Sequence, residues 1–321
     1  MMWALAGLGG LAVSALSGGL ALRYAISRNG PAVLSAVDRL TAGSRGTERK
    51  AAIALGAHKQ QKLIVWGPDR RDPADAPLPV IVFAHGGSWR SGDPIDYGFI
   101  ARAFVPEGFI VVLVGYRLGE AGAYPAMLED TARALAWTHG EIAAYGGDPQ
   151  RIMIAGHSAG AYIAVMVALE EQWLGREGLS PDIVNGVVGL SGPYDFVPLT
   201  SDSTLAAFGH VVDPEITQPN RHIRTDAPQM LLIHGEKDSL VKPRNTRFLV
   251  QALESRGAQV TAAFYSEMEH NDPLIALAAP WRTRRDVAEL IARFARAASA
   301  KRNEPVIETR ETSVPVQGES R

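Results

Sequence analysis

In the run MIAGHSAGAYIA, residues 153–164, one serine, Ser158, stands two residues from a glycine on either side, Gly156 and Gly160. An apolar strand-like segment, Arg151 to Ala155, leads in, and a helix-like one, Ala161 to Leu169, leads out. Glycines at those two places let strand and helix close around a sharp turn, so the hydroxyl between them projects into open space. The helix that starts at about Ala159 brings free backbone N–H groups and the positive end of its dipole to the same spot. A serine so placed can attack an electrophilic carbonyl, provided that a histidine takes its proton and a carboxylate orients the histidine.

Both partners occur downstream, each just past a strand-like run. Asp238 lies in LLIHGEKDSLV, beyond Met230 to His234, and His270 lies in YSEMEHND, beyond Gln259 to Tyr265. In open α/β sheets, reacting groups gather at the carboxyl ends of the strands, so Ser158, Asp238 and His270 would converge there. Glu236 competes with Asp238 for the acid position, and Asp272 is a second possible partner for the histidine. Of the eight histidines, His234 precedes the acid and His157 flanks the serine, which leaves His270 as the late histidine that follows a strand. HGGSW, residues 85–89, follows the run Val80 to Ala84. Amides of Gly87 and Ser88 could join that of Ala159 in cradling an oxyanion, each donor being worth about 3–4 kcal/mol in the transition state.

These residues need a scaffold that alternates strand and helix. Ala51 to Gly56 and Lys62 to Trp66 suit an opening antiparallel hairpin. Val80 to Ala84, Phe109 to Val114, Arg151 to Ala155, Val187 to Leu190, Met230 to His234 and Gln259 to Tyr265 read as strands, most of them continuously apolar. Helical spacing covers Met127 to Tyr145, Arg244 to Arg256 and Trp281 to Ala298. The pattern predicts an α/β fold, a mostly parallel sheet with helices on both faces. The long irregular segment 195–229 would form a small cap over the sheet's carboxyl edge.

The chain has 46% hydrophobic residues, a formal charge of −2 and no cysteine. That composition supports a large core, gives no signature for nucleic acid, and excludes disulfides and thiolate chemistry. Residues 1–22 carry no charge, and basic residues follow from Arg23 onward. The arrangement predicts an N-terminal hydrophobic anchor over 1–26 with the remainder on the cytoplasmic side of a membrane, a soluble cytoplasmic protein being the alternative. A helical spacer is expected over 27–50, the main domain over 51–298 and a disordered tail over 299–321.

HGGSW followed by Gly92-Asp93, GYRL at 115–118, Tyr124-Pro125 with Asp130, YGGDP at 145–149, GHSAGA at 156–161, SGPYD at 191–195, HGEKD and EHND together resemble the α/β-hydrolases of the carboxylesterase and hormone-sensitive-lipase-like group. Serine and tryptophan at positions 88 and 89 bring the chain nearer the HGGxW branch, with feruloyl-type esterases, arylformamidases and isoprenylcysteine methylesterases, than the HGGG lipases. The resemblance implies an α/β-hydrolase fold and a serine hydrolase that cleaves small to medium carboxylic esters through an acyl-enzyme. Ser158 would be the nucleophile, His270 the general acid/base, Asp238 its orienting carboxylate, and Gly87, Ser88 and Ala159 the oxyanion hole. Trp89, Tyr116 and Tyr194 would bind substrate or support its pocket. No metal or organic cofactor is implied. An arylformamidase-type amide hydrolase and a non-catalytic, membrane-tethered binding protein on the same fold are the alternatives.

Overall fold

The computed structural model of the chain describes residues 29–72 and 74–300. The expected anchor over 1–26 and the tail beyond residue 300 lie outside them. Among the described residues no helix is long and apolar enough to cross a membrane.

The first described element is helical through residue 42 (α1, from 29). It is followed by β1 (Thr47–Ala54), β2 (Lys62–Pro68), β3 (Leu78–Ala84), α2 (Gly98–Phe104), β4 (Ile110–Val114) and α3 (Ala126–Glu141). Then come β5 (Gly147–His157), α4 (Ala159–Leu169), α5 (Gln172–Arg176), β6 (Val184–Leu190) and α6 (Asp202–Phe208). The chain continues through β7 (Gln229–Gly235), α7 (Arg244–Ser255), β8 (Val260–Tyr265), α8 (Asp272–Ile275) and α9 (Val287–Ser299). The strands form one sheet in the order β1-β2-β4-β3-β5-β6-β7-β8. β1 and β2 form the antiparallel opening hairpin, β2 is antiparallel to β4, and the six strands from β4 to β8 run parallel.

Continuous apolar strands are what a sheet covered on both faces requires. Along β3, Val80 and Val82 face one core while Ile81 and Phe83 face the other. α3, α4 and α7 supply residues to the first core, α2 and α9 to the second. α4 is buried at every position, because it lies under the sheet's centre and beneath the segment that follows β6.

Three sequence-based boundaries need correction. Of the helical spacer expected over 27–50, the described part is helical through residue 42, but β1 already begins at Thr47, and α1 packs on the domain through Leu34 and the fully buried Asp38. The Asp38 carboxylate pairs with Arg102 and Arg282 and accepts a hydrogen bond from the Ala279 amide. Removing Asp38 would leave two largely buried guanidiniums facing each other without the carboxylate they share. The closing helix starts at Val287, not Trp281, and it runs to Ser299 inside the predicted tail. Within 195–229, Phe196 and Phe208 pack into the first core, and Ala207 accepts a hydrogen bond from the Tyr124 amide, so the segment is seated on the domain.

Candidate active site

β5 delivers Ser158 one residue past its end, at φ 55 and ψ −120, a backbone conformation unfavourable for a residue with a Cβ. Such a conformer costs on the order of 1–3 kcal/mol and survives where its surroundings dictate it. Here the Ser158 amide donates to Leu190 O at 2.8 Å, and its carbonyl accepts from the amides of Ala161 and Tyr162 at 3.0 and 3.1 Å. Both flanking glycines are required by space. A Cβ on Gly160 would run into the carbonyl oxygens of Ala84 and His85, and one on Gly156 into the Gly160 carbonyl.

The structure brings Ser158, His270 and Asp238 together from three strand ends. Ser158 Oγ lies 2.9 Å from His270 Nε2, and His270 Nδ1 lies 2.8 Å from Asp238 Oδ2. A carboxylate only accepts, so Nδ1 carries the proton of a neutral His270, and Nε2 is left free to accept one from the serine. All three residues are buried, with Ser158 7% and His270 8% exposed.

Asp238 is held on both oxygens. Oδ1 accepts from the Leu240 and Val241 amides at 3.0 and 2.8 Å. Oδ2 faces His270 and also His234, whose Nε2 is 3.2 Å away. His234 Nε2 lies 2.8 Å from Val241 O and its Nδ1 2.7 Å from Thr246 Oγ1, so Nε2 carries the proton and Nδ1 accepts from the threonine. Burial alone would raise the Asp238 carboxyl, but hydrogen bonds from His234, His270 and the Val241 amide outweigh it and hold the group below the usual carboxylate range. The competing acids are otherwise engaged. Glu236 pairs with Arg247 at the surface, and Asp272 Oδ2 accepts from the Glu269 amide at 2.7 Å.

β3 lies beside β5, with Ala84 opposite Gly156, and so brings the HGGSW loop to the serine. Gly87, Ser88 and Trp89 all have positive φ, at 123, 53 and 58. A Cβ on Gly87 would strike the Ser91 carbonyl, so that place admits only glycine. The Gly87 carbonyl turns away to accept from the amides of Arg90 and Ser91. Among the described residues no acceptor is bonded to the amides of Gly87, Ser88 or Ala159. Donors without acceptors, on a strained loop and at a helix start, are the kind of groups that can receive a developing anion.

The three aromatic residues expected to bind substrate or support its pocket are all buried in the structure. Tyr116 donates to His85 O at 2.7 Å and stacks on the His85 ring, centroids 4.4 Å apart, with Tyr97 on the other side at 5.7 Å. Tyr194 is fully buried, its ring against Gly189 and Gly192. Trp89 packs edge-on against Tyr162 and Phe208, at 5.5 and 4.9 Å, with Phe196 at 6.0 Å. Large rings near strand ends fill space wherever they fall, and these three contribute to the packing around the site. Residue types alone gave no sign of Asn245, whose Oδ1 accepts from the amides of Tyr194 and Asp195 and pins the chain after β6. Asp130 plays a similar part for GYRL, accepting from the Arg117 amide and guanidinium and from Gln61.

Two imidazoles beside the site are neutral. Burial, partly offset by a hydrogen bond to the Gly86 carbonyl, pushes His85 down from 6.5 to about 4. Burial, with the nearby His270 adding to it, pushes His157 down to about 3. The unfolded chain protonates both rings as pH falls through about 6.5, whereas the folded chain does not until far lower, so acidification favours unfolding. Each ring contributes a slope of about 1.4 kcal/mol per pH unit below that point. Urea unfolding at pH 7.5, 6.5, 5.5 and 5 should show stability level at first and then falling steeply. A level profile down to pH 5 would contradict neutral burial.

A mostly parallel sheet with a strained serine elbow at its carboxyl edge, a glycine-rich loop beside it and a histidine and an acid arriving from later strands defines an α/β-hydrolase fold. Within that class the chain belongs to the BD-FAE family, whose family model matches residues 71–253, a span that holds Ser158 and Asp238 and ends before His270. Esterase LipQ of Mycobacterium tuberculosis is 30% identical over an alignment of 259 residues that covers 74% of this chain and 59% of that protein. The isoprenylcysteine alpha-carbonyl methylesterase ICME of Arabidopsis thaliana is 26% identical over an alignment of 244 residues that covers 70% of this chain and 56% of that one. The chain thus spans between about half and three fifths of the length of the curated relatives it matches. Among solved structures, esterase B of Lactobacillus rhamnosis inhibited by a tributyrin phosphonate superposes with a TM-score of 0.74 at 18% identity, covering 90% of this chain and 97% of that one.

Proposed function

We propose that the protein hydrolyses small to medium carboxylic esters through an acyl-enzyme formed on Ser158. The observation that carries this reading is the continuous hydrogen-bonded line from Ser158 Oγ through His270 to Asp238, at 2.9 and 2.8 Å. Membership of the BD-FAE family and the esterase names of its relatives support the same chemistry.

In the first half-reaction Ser158 Oγ bonds to the ester carbonyl carbon while its proton passes to His270 Nε2. The carbonyl oxygen takes up negative charge among the amides of Gly87, Ser88 and Ala159. Asp238, ionised and fixed by two backbone amides, stabilises the imidazolium through Nδ1–H. The intermediate collapses as the carbonyl–oxygen bond to the alcohol breaks and His270 returns the proton to that oxygen. Water then gives its proton to His270 and attacks the acyl carbon, and Ser158 recovers its hydrogen on release of the acid.

The rings of Trp89, Tyr162, Phe196 and Phe208 fill the space beside the oxyanion loop, and this favours short acyl groups. The test is a series of p-nitrophenyl esters from acetate to octanoate assayed on the purified protein. Saturable release of p-nitrophenol, fastest at the short end, is the expected result. No release from any member above the uncatalysed rate would overturn the proposal.

A further inference from the structure

The residue before the serine carries a contact that the ester chemistry above does not use. His157 closes β5, is 3% exposed, and places Nε2 3.0 Å from the backbone carbonyl oxygen of His270, with the two rings 5.0 Å apart. A carbonyl oxygen can only accept, so His157 is the Nε2–H tautomer and donates. No backbone amide among the described residues donates to the His270 carbonyl. His270 stands in the connection between β8 and α8, where the Lys237 amide donates to Met268 O and the Asp272 amide to Glu269 O, while His270 itself makes no backbone–backbone hydrogen bond among the described residues. Its imidazole is tied to Asp238 on the loop after β7, and its backbone is tied to His157 on β5.

We propose that His157 is a positioning residue for His270, one that fixes the general base from the same strand that presents the nucleophile. The inference rests on the ester-hydrolase reading above. Its physical content is that the distance from Ser158 Oγ to His270 Nε2 is set by adjacent residues of one rigid strand. Without His157 the two atoms would be related through the turn after β5 and the loops after β7 and β8, which the Lys237 amide to Met268 carbonyl bond joins to each other. The His157 side chain touches neither the serine hydroxyl nor a reacting atom, so its loss acts on the proton-transfer geometry and leaves substrate binding alone.

Two substitutions of nearly equal bulk separate this role from simple core filling. H157L removes the donor, while H157Q places an amide N–H near the position of the imidazole Nε2. With p-nitrophenyl acetate, H157L should lower kcat roughly tenfold to a hundredfold with KM within about twofold, the size expected of an ångström-scale misplacement, and H157Q should recover most of the loss. Equal kcat in both variants, whether high or low, would overturn the proposal. A second readout needs neither a folded leucine variant nor activity: long-range 1H–15N spectra of the imidazoles in the unmodified protein. His157 should remain the Nε2–H tautomer between pH 5 and 8, and an Nδ1–H tautomer or an imidazolium there would overturn it. If the unmodified protein turned over no ester while His157 kept that tautomer, the ester reading would fall and the hydrogen bond would stand.

Discussion

Ser158→Ala should leave a folded protein whose kcat for short acyl esters is lower by a factor on the order of 10^4 to 10^6. In the proposed mechanism the hydroxyl contributes the bond-forming atom, and His270 and Asp238 stand in hydrogen-bonded line behind it to activate it. The fold should tolerate the change. The strained φ belongs to the backbone, and the bonds that hold the elbow run from the Ser158 amide to Leu190 O and from the amides of Ala161 and Tyr162 to the Ser158 carbonyl. None involves Oγ. The lost side-chain hydrogen bond should shift stability by about 1 kcal/mol, because His270 keeps some access to water. Parallel measurements of steady-state rates and urea unfolding check both parts. A variant that kept more than about a hundredth of the activity would remove the serine from the mechanism.

Asp238→Asn should be nearly as damaging, for a reason that depends on which oxygen does what. Oδ1 accepts two backbone hydrogen bonds, from Leu240 and Val241, so the asparagine carbonyl must occupy that place. The amide nitrogen then falls where Oδ2 now faces His270 Nδ1 and His234 Nε2. Both of those nitrogens carry hydrogen in the native site, and an NH2 group cannot accept from them. His270 would be driven to the opposite tautomer, with Nε2 protonated and unable to take the serine proton. A fall in kcat of about 10^4 with little change in KM is the expected outcome, the size seen when a catalytic imidazole is trapped in the wrong tautomer. Asp238→Glu, or a neutral change at Glu236, should not reproduce the tautomer effect. Comparable losses at Glu236 would reassign the acid.

How much of this was legible from residues alone differs from feature to feature. The elbow was readable because strain, space and chemistry all select glycine, serine and glycine at fixed spacing, and the structure bears out each steric need. The approach of His270 and Asp238 was readable as well, because both follow apolar runs, and parallel strands must point their carboxyl ends the same way. Which acid would face the histidine was not decided by spacing. The turn after β7 decides it, with the Asp238 amide donating to Gly235 O so that the side chain returns over the sheet edge while Glu236 points out to Arg247. The docking of α1 was hidden for a different reason. Asp38 looks like one more polar residue in a polar stretch, and its partners Arg102 and Arg282 are identified only by folding. His157 shows in the sequence only as a neighbour of the serine, because its partner lies 113 residues away. Aromatic residues at strand ends carry no mark in their type that separates a pocket wall from a packed support, and Trp89, Tyr116 and Tyr194 are all buried.

The central claim is that one hydroxyl, and only that one, is made nucleophilic by this arrangement. A fluorophosphonate probe followed by mass mapping of the modified peptide tests it directly. The account predicts a single adduct per chain, on Ser158, formed slowly in Asp238→Asn and absent in Ser158→Ala. Ester turnover with no adduct, or with an adduct on any other residue, would contradict it.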